Sequence, residues 1–221
     1  MGKNQATRST VAVFGILIGL VGIDHGLFDV LQGNVRPDGV MIEAIGPAQR
    51  FWQYGTESAL TVIPGFLISG ILSIAIGILV MVWALAFVHR RYGAAILLLL
   101  TIALFLVGGG FAPIFLSILA SVTATRINKP LTWWRAHLPA KLLRFLPRLW
   151  PATLVGLVVL FVITVEIAVF GYPLLWLFEA DTTFSIQFTL GYIMLGLIVL
   201  SILTGLTKDI QRKSEGLGPE A

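Results

Sequence analysis

Four stretches of this chain, about 10 to 31, 60 to 88, 151 to 178 and 184 to 207, stay predominantly apolar for more than 20 residues. A helix of about 20 residues crosses the roughly 30 Å hydrocarbon layer of a bilayer. In that layer every backbone N–H and C=O must be satisfied inside the protein, and an α-helix does so with its own chain. The runs therefore predict an all-α integral membrane protein. Composition agrees, because 12% of the residues are charged, against roughly 25% in soluble domains. The tryptophans fall mostly at the ends of the runs or between them, where amphipathic rings sit at the headgroup level.

A fifth run, 94 to 125, holds 32 uncharged residues, about 48 Å of helix at ~1.5 Å per residue. That is long for one span and short for two. Its middle reads GGGFAP, with Gly108, Gly109, Gly110 and Pro113, residues that break helices and permit turns. The prediction is a short hairpin, 92–108 and 111–125, which brings the bundle to six spans; one unbroken span there gives the alternative of five. Lys and Arg in short loops favour the cytoplasmic side. With six spans and a cytoplasmic N-terminus, 13 of the 15 Lys and Arg lie inside, leaving Arg36 and Arg50 outside, whereas five spans keep 11 inside. The expected organisation is one polytopic domain over 1–212 in the cell membrane, both termini cytoplasmic, with a disordered tail at 213–221. Lys3 and Arg8 precede the first run without a small-residue cleavage site, so it reads as an uncleaved span.

The chain has no cysteine, which excludes disulfides and thiolate chemistry. Its net charge of +4 resides in short loops between apolar runs, so orientation and lipid contact explain it better than nucleic acid. No motif calls for a cofactor, a nucleotide or a dedicated metal site.

Small residues indicate how the helices meet. Gly15, Gly19, Gly22 and Gly26 fall within about 60° of one another on a helix of ~3.6 residues per turn, a face suited to close backbone approach. In the second run Glu57, Thr61, Gly65, Ser69, Ser73 and Gly77 recur every fourth residue and are expected to form the complementary ridge.

The costly residues are polar ones inside the runs. GIDHGLFD, residues 22 to 29, carries Asp24, His25 and Asp29. His25 and Asp29 are one turn apart and within reach as an i, i+4 pair, while Asp24 projects nearly opposite the glycines. Glu166 stands near the middle of the run 151 to 178 among apolar neighbours, with His25 as a candidate partner by chemistry. An ionised carboxylate facing lipid is disfavoured by about 2.5 to 3.5 kcal/mol even on lenient scales, so Asp24, His25, Asp29, Glu57 and Glu166 are expected to form a polar intramembrane site.

Two loops have character. Residues 126–150 contain six Lys or Arg and no acid. Arg135, His137, Lys141, Arg144 and Arg148 are expected to meet anionic lipid headgroups at the cytoplasmic face from an amphipathic interfacial segment. The loop 32–59 is rich in turn signals and aromatics and is read as a cap over the bundle. Movement of a small solute or protons is the leading functional expectation. An accessory or assembly subunit that binds a membrane-protein partner or a second copy is the alternative, and a lipid-modifying enzyme the third.

Overall fold

The computed structural model describes residues 4–216. Seven α-helices are present among them: α1 Gln5–Leu31, α2 Phe66–Val82, α3 Gly93–Leu106, α4 Ala112–Ala124, α5 Thr132–His137, α6 Ala140–Phe170 and α7 Ala180–Ser214. A π-helical turn, Trp83–Phe87, extends α2. Four helices, α1, α2 with that turn, α6 and α7, are long and apolar enough to cross a membrane, as an all-α membrane protein requires.

The hairpin at GGGFAP forms, but its arms α3 and α4 have 14 and 13 residues, about 20 Å each at ~1.5 Å per residue. They fall short of the roughly 30 Å hydrocarbon layer, so six full spans are not reached on length. Gly108 and Gly110 sit at φ +96° and +83°, a region that only glycine enters cheaply, and the chain turns there. Pro113, in the first turn of α4, occupies a position where its missing N–H leaves no helical bond unmade.

The space above the hairpin is filled by the segment 32–65. Strands β1 Met41–Glu43 and β2 Ser58–Leu60 pair antiparallel, with Ile42 opposite Ala59. Gly108 N donates to Leu60 O and Val62 N to Leu106 O, both at 2.9 Å, so hairpin tip and loop share backbone hydrogen bonds. This corrects the second span, expected from residue 60: the segment before Pro64 and Gly65 is strand and turn, and the helix starts at Phe66. Glu57, Thr61 and Gly65 therefore lie outside the helical ridge.

Other boundaries shift as well. The expected interfacial segment 126–150 divides into α5 and the first turns of α6, which runs unbroken through Pro147 and Pro151. Helix α6 ends at Phe170 because Gly171 takes the left-handed conformation, φ +72°, a common helix stop. Residues 171–178 are turn and a 3-10 segment, Leu174–Trp176. Helix α7 begins at Ala180, ahead of the run expected from 184, and continues through Ser214, so the first residues assigned to a disordered tail are helical; 217–221 lie outside the described residues.

Helix α1 is central. Val11, Phe14, Leu17 and Ile18 are buried against Val80 and Ala84, Leu97 and Leu104, Ala120, Leu157 and Ile198 from the surrounding helices. A Cβ on Gly19 would come within 2.5 Å of Gly77 O, and one on Gly26 within 2.7 Å of Gly70 O. Gly15 faces Ala84 on the same side, whereas Gly22 turns to Leu104 of α3. Ser73 Oγ donates to Gly22 O at 2.8 Å. Gly65 contributes nothing to this contact, its nearest neighbour being Asn34 at 3.9 Å, and Gly70 takes that part.

The starts of α1 and α6 lie together with the ends of α2, α4 and α7. Arg8 Nη2 donates to Leu85 O, Asn4 N to Ile127 O and Trp150 Nε1 to Thr10 Oγ1. Asp209 of α7 accepts from the backbone N–H groups of Ala6 and Thr7 at 3.0 and 2.7 Å and from the Thr7 hydroxyl at 2.7 Å. It caps α1 from another helix. At the opposite end Trp52 Nε1 donates to Ala168 O at 3.0 Å, and the Tyr54 hydroxyl to Asp181 at 2.5 Å.

Candidate functional site

His25 lies in the last two turns of α1 and is 1% exposed. Its Nε2 is 2.7 Å from Glu57 Oε2, and Glu57 is held by the β-hairpin, where its carbonyl accepts from Ala44 N at 2.8 Å. The other ring nitrogen, Nδ1, has no hydrogen-bond partner. It lies 2.7 Å from the place a Cβ would take on Gly110, so the ring is seated on bare backbone of the α3–α4 tip.

One turn on, Asp29 is fully buried. Its Oδ2 is 2.7 Å from a Cβ position on Gly108, beside Ser69 Oγ. Ser69 Oγ is 2.9 Å from Val107 O and 2.8 Å from Thr61 Oγ1, which ties α2, the loop and the tip together around the carboxylate. Gly108 and Gly110 thus each admit one polar side chain of α1. His25 and Asp29 are near each other, but the close partner of His25 is Glu57.

Asp24 points away from α2 into a chamber of about 150 Å³, lined also by Glu57, Thr164, Gln187 and Ala112. Gln187 Oε1 is buried there without a hydrogen-bond partner. Glu57 therefore borders the chamber while its carboxylate holds His25. Burial works to raise the Glu57 pKa, but the hydrogen bond and charge of His25 outweigh it and hold the carboxyl below its ordinary value. A second crevice of about 370 Å³, lined by Leu17, Ile18, Pro113, Leu116, Leu157 and Ile198 among others, adjoins the first across Val21, Ala112, Phe161 and Met194. Together they form a cleft between α1 and α4 on one side and α6 and α7 on the other, acidic at one end and apolar along the rest.

Glu166 is not part of this cluster. It is exposed on the outer face of α6, and because the helix stops at Phe170 it stands about one turn from the helix end. The expectation that it lies mid-span beside His25 is corrected. The basic residues also stand apart: Arg135, His137, Lys141, Arg144 and Arg148 are all exposed on α5 and the start of α6. The His137 ring stacks on Trp133, centroids 4.5 Å apart.

Sequence reasoning missed Asp209, Gln187 and Gly70. Asp209 sits in TKDIQRK, which reads as a solvated helix end. Gln187 carries no charge to mark it in an apolar run. Gly70 falls off the fourfold spacing that drew attention to its neighbours. Compared with protein-family models, curated proteins and solved structures, the chain matches none.

Proposed function

We propose that this chain is a proton-coupled carrier for a small lipophilic cation, with its basic end at the cytoplasm. The observation that carries this reading is the pair of cavities: an acidic chamber bordered by Asp24 and Glu57 adjoins an apolar one of about 370 Å³ across shared lining residues, within the roughly 300 to 1,000 Å³ of small-molecule sites. An apolar body with a positive charge complements both parts. Non-helical backbone at membrane depth is tolerated where it lines a cavity or is buried in protein, and carriers use such breaks to build sites.

In this mechanism His25 holds the proton and Glu57 is its counter-charge. Nδ1 of His25 has no competing partner and takes up or gives off the proton. Entry of the cation beside Asp24 adds positive charge next to the pair and favours proton release. The apolar layer of Leu17, Ile18, Phe161 and Ile198 separates the chamber from the polar cluster of Thr10, Thr153, Thr204 and Asp209 at the basic end, so passage requires α6 and α7 to move relative to α1 and α4. Lys and Arg gather at that end, with Arg36 and Arg50 at the other, and this asymmetry supports its cytoplasmic assignment.

The test is ethidium accumulation in proteoliposomes under an imposed pH gradient. The wild type is expected to accumulate the dye and His25→Gln to lose accumulation while remaining folded, at an unfolding temperature lowered by loss of the Glu57 contact. Equal accumulation in the two, or none above empty liposomes, overturns the proposal.

A further inference from the structure

We infer that the open end of the α3–α4 hairpin is a binding site for one anionic phospholipid. A crevice of about 460 Å³ lies there, between the turn that follows α2, the first turns of α3 and the last turns of α4. Arg90, Arg91 and Lys129 border it, and neither Asp nor Glu is among its lining residues. Ser121, 6% exposed, lines the same crevice, and its hydroxyl is buried without a hydrogen-bond partner. A buried hydroxyl without a partner is unfavourable, and a phosphate oxygen drawn into the crevice would accept from it.

The frame is fixed by short-range bonds. Asn128 Nδ2 donates to His89 O at 2.7 Å, joining the end of α4 to the turn before α3. Gly93 N donates to Arg90 O at 2.9 Å and closes that turn. The three cations are exposed; Arg91 lies over the Tyr92 ring, 5.0 Å from its centroid, and would leave it to join Arg90 and Lys129 on a headgroup, where charge-assisted bonds from guanidinium to phosphate are among the stronger ones.

The walls decide between a lipid and a soluble anion. Val88, Ala94, Leu98 and Val122 line the crevice, and the apolar surface continues outward over Leu99, Ile118 and Phe115, which are 64%, 47% and 65% exposed. A phosphate held at the rim would have its acyl chains lying along this face. The crevice also belongs to the basic end, where anionic lipid attracts basic groups. A zwitterionic lipid offers the same phosphate, but its ammonium would meet three cations without a counter-charge. The row from Arg135 to Arg148 lies exposed on the surfaces of α5 and α6 and is a weaker candidate for a discrete site.

The experiment is native mass spectrometry of the purified protein with phosphatidylglycerol and phosphatidylcholine of identical acyl chains. Phosphatidylglycerol is expected to bind at least tenfold tighter, in one saturable step. The triple variant R90Q/R91Q/K129Q should lose that preference, Ser121→Ala should weaken binding severalfold without changing charge, and R135Q/K141Q/R144Q should keep it. Equal binding of the two lipids, an undiminished preference in both the triple variant and Ser121→Ala, or displacement of phosphatidylglycerol by millimolar inorganic phosphate would overturn the inference.

Discussion

Gly110→Ala tests how the hairpin tip builds the site. At φ +83° an L-residue pays about 1 to 2 kcal/mol for the left-handed conformation. Its new methyl would also overlap the His25 ring, which must rotate away and lose the 2.7 Å contact with Glu57. A hydrogen bond to a charged group contributes about 1.5 to 3 kcal/mol, so the two effects together cost roughly 2.5 to 5 kcal/mol. For a chain of this size a loss of 1 kcal/mol lowers the unfolding temperature by about 2 to 4 °C, and the expected fall is therefore roughly 5 to 20 °C. The assay is intrinsic-fluorescence unfolding in detergent, with Gly156→Ala as control. That glycine lies within α6 with its nearest neighbour 4.0 Å from a Cβ position, and the substitution should be neutral or stabilise by up to about 1 kcal/mol. A Gly110→Ala protein that unfolds within about 1 kcal/mol of the wild type would refute the packing of tip on histidine.

Asp209→Ala removes a carboxylate that accepts three hydrogen bonds at 2.7 to 3.0 Å from the first turn of α1; unfolding in detergent should show a loss of about 3 to 5 kcal/mol. Gly19→Val places its side chain within 2.5 Å of Gly77 O and should separate α1 from α2, read as a large drop in unfolding temperature, whereas Gly191→Ala, with open space around it, should cause none. The carboxyl of Glu57 is held below its ordinary value of 4.5 in the folded protein, so its stabilising contribution is complete above that value and is lost as pH falls through the lowered one. Unfolding temperature measured from about pH 5 downward should fall more steeply for the wild type than for Glu57→Gln.

What could be read in advance follows from where the physics is local. Span-length runs announce helices because the bilayer leaves backbone few alternatives, and the triple glycine announces the turn at 108–110. The glycine spacing in α1 marks a small-residue face, since i, i+3 and i+4 neighbours share one side of any helix. Helix ends were harder. Thr61 to Ile63 are as apolar as the helix they precede, and only Pro64–Gly65 signals the late start at Phe66. Proline in a helix interior removes a backbone hydrogen bond, yet α6 passes through both Pro147 and Pro151, as membrane helices with satisfied neighbours do.

The site was legible as residue types and not as partners. Asp24, His25 and Asp29 stand out because charge inside an apolar run is expensive. That His25 meets Glu57, 32 positions away, depends on a β-hairpin folding down over the hairpin tip, and no periodicity encodes that. Glu166 looked central because its run seemed to continue to residue 178; Gly171 cuts the helix short and leaves Glu166 near an end. Asp209 is the converse case, an apparently solvated charge that caps a helix some 200 residues earlier in the chain.

The most direct test of the central claim is pH-driven ethidium accumulation in proteoliposomes carrying Asp24→Asn or Glu166→Gln, each first checked for a wild-type unfolding temperature. Because Asp24 faces the chamber and Glu166 the outer surface, the account predicts that Asp24→Asn abolishes accumulation and Glu166→Gln leaves it intact. Accumulation that survives in Asp24→Asn and disappears in Glu166→Gln would contradict it.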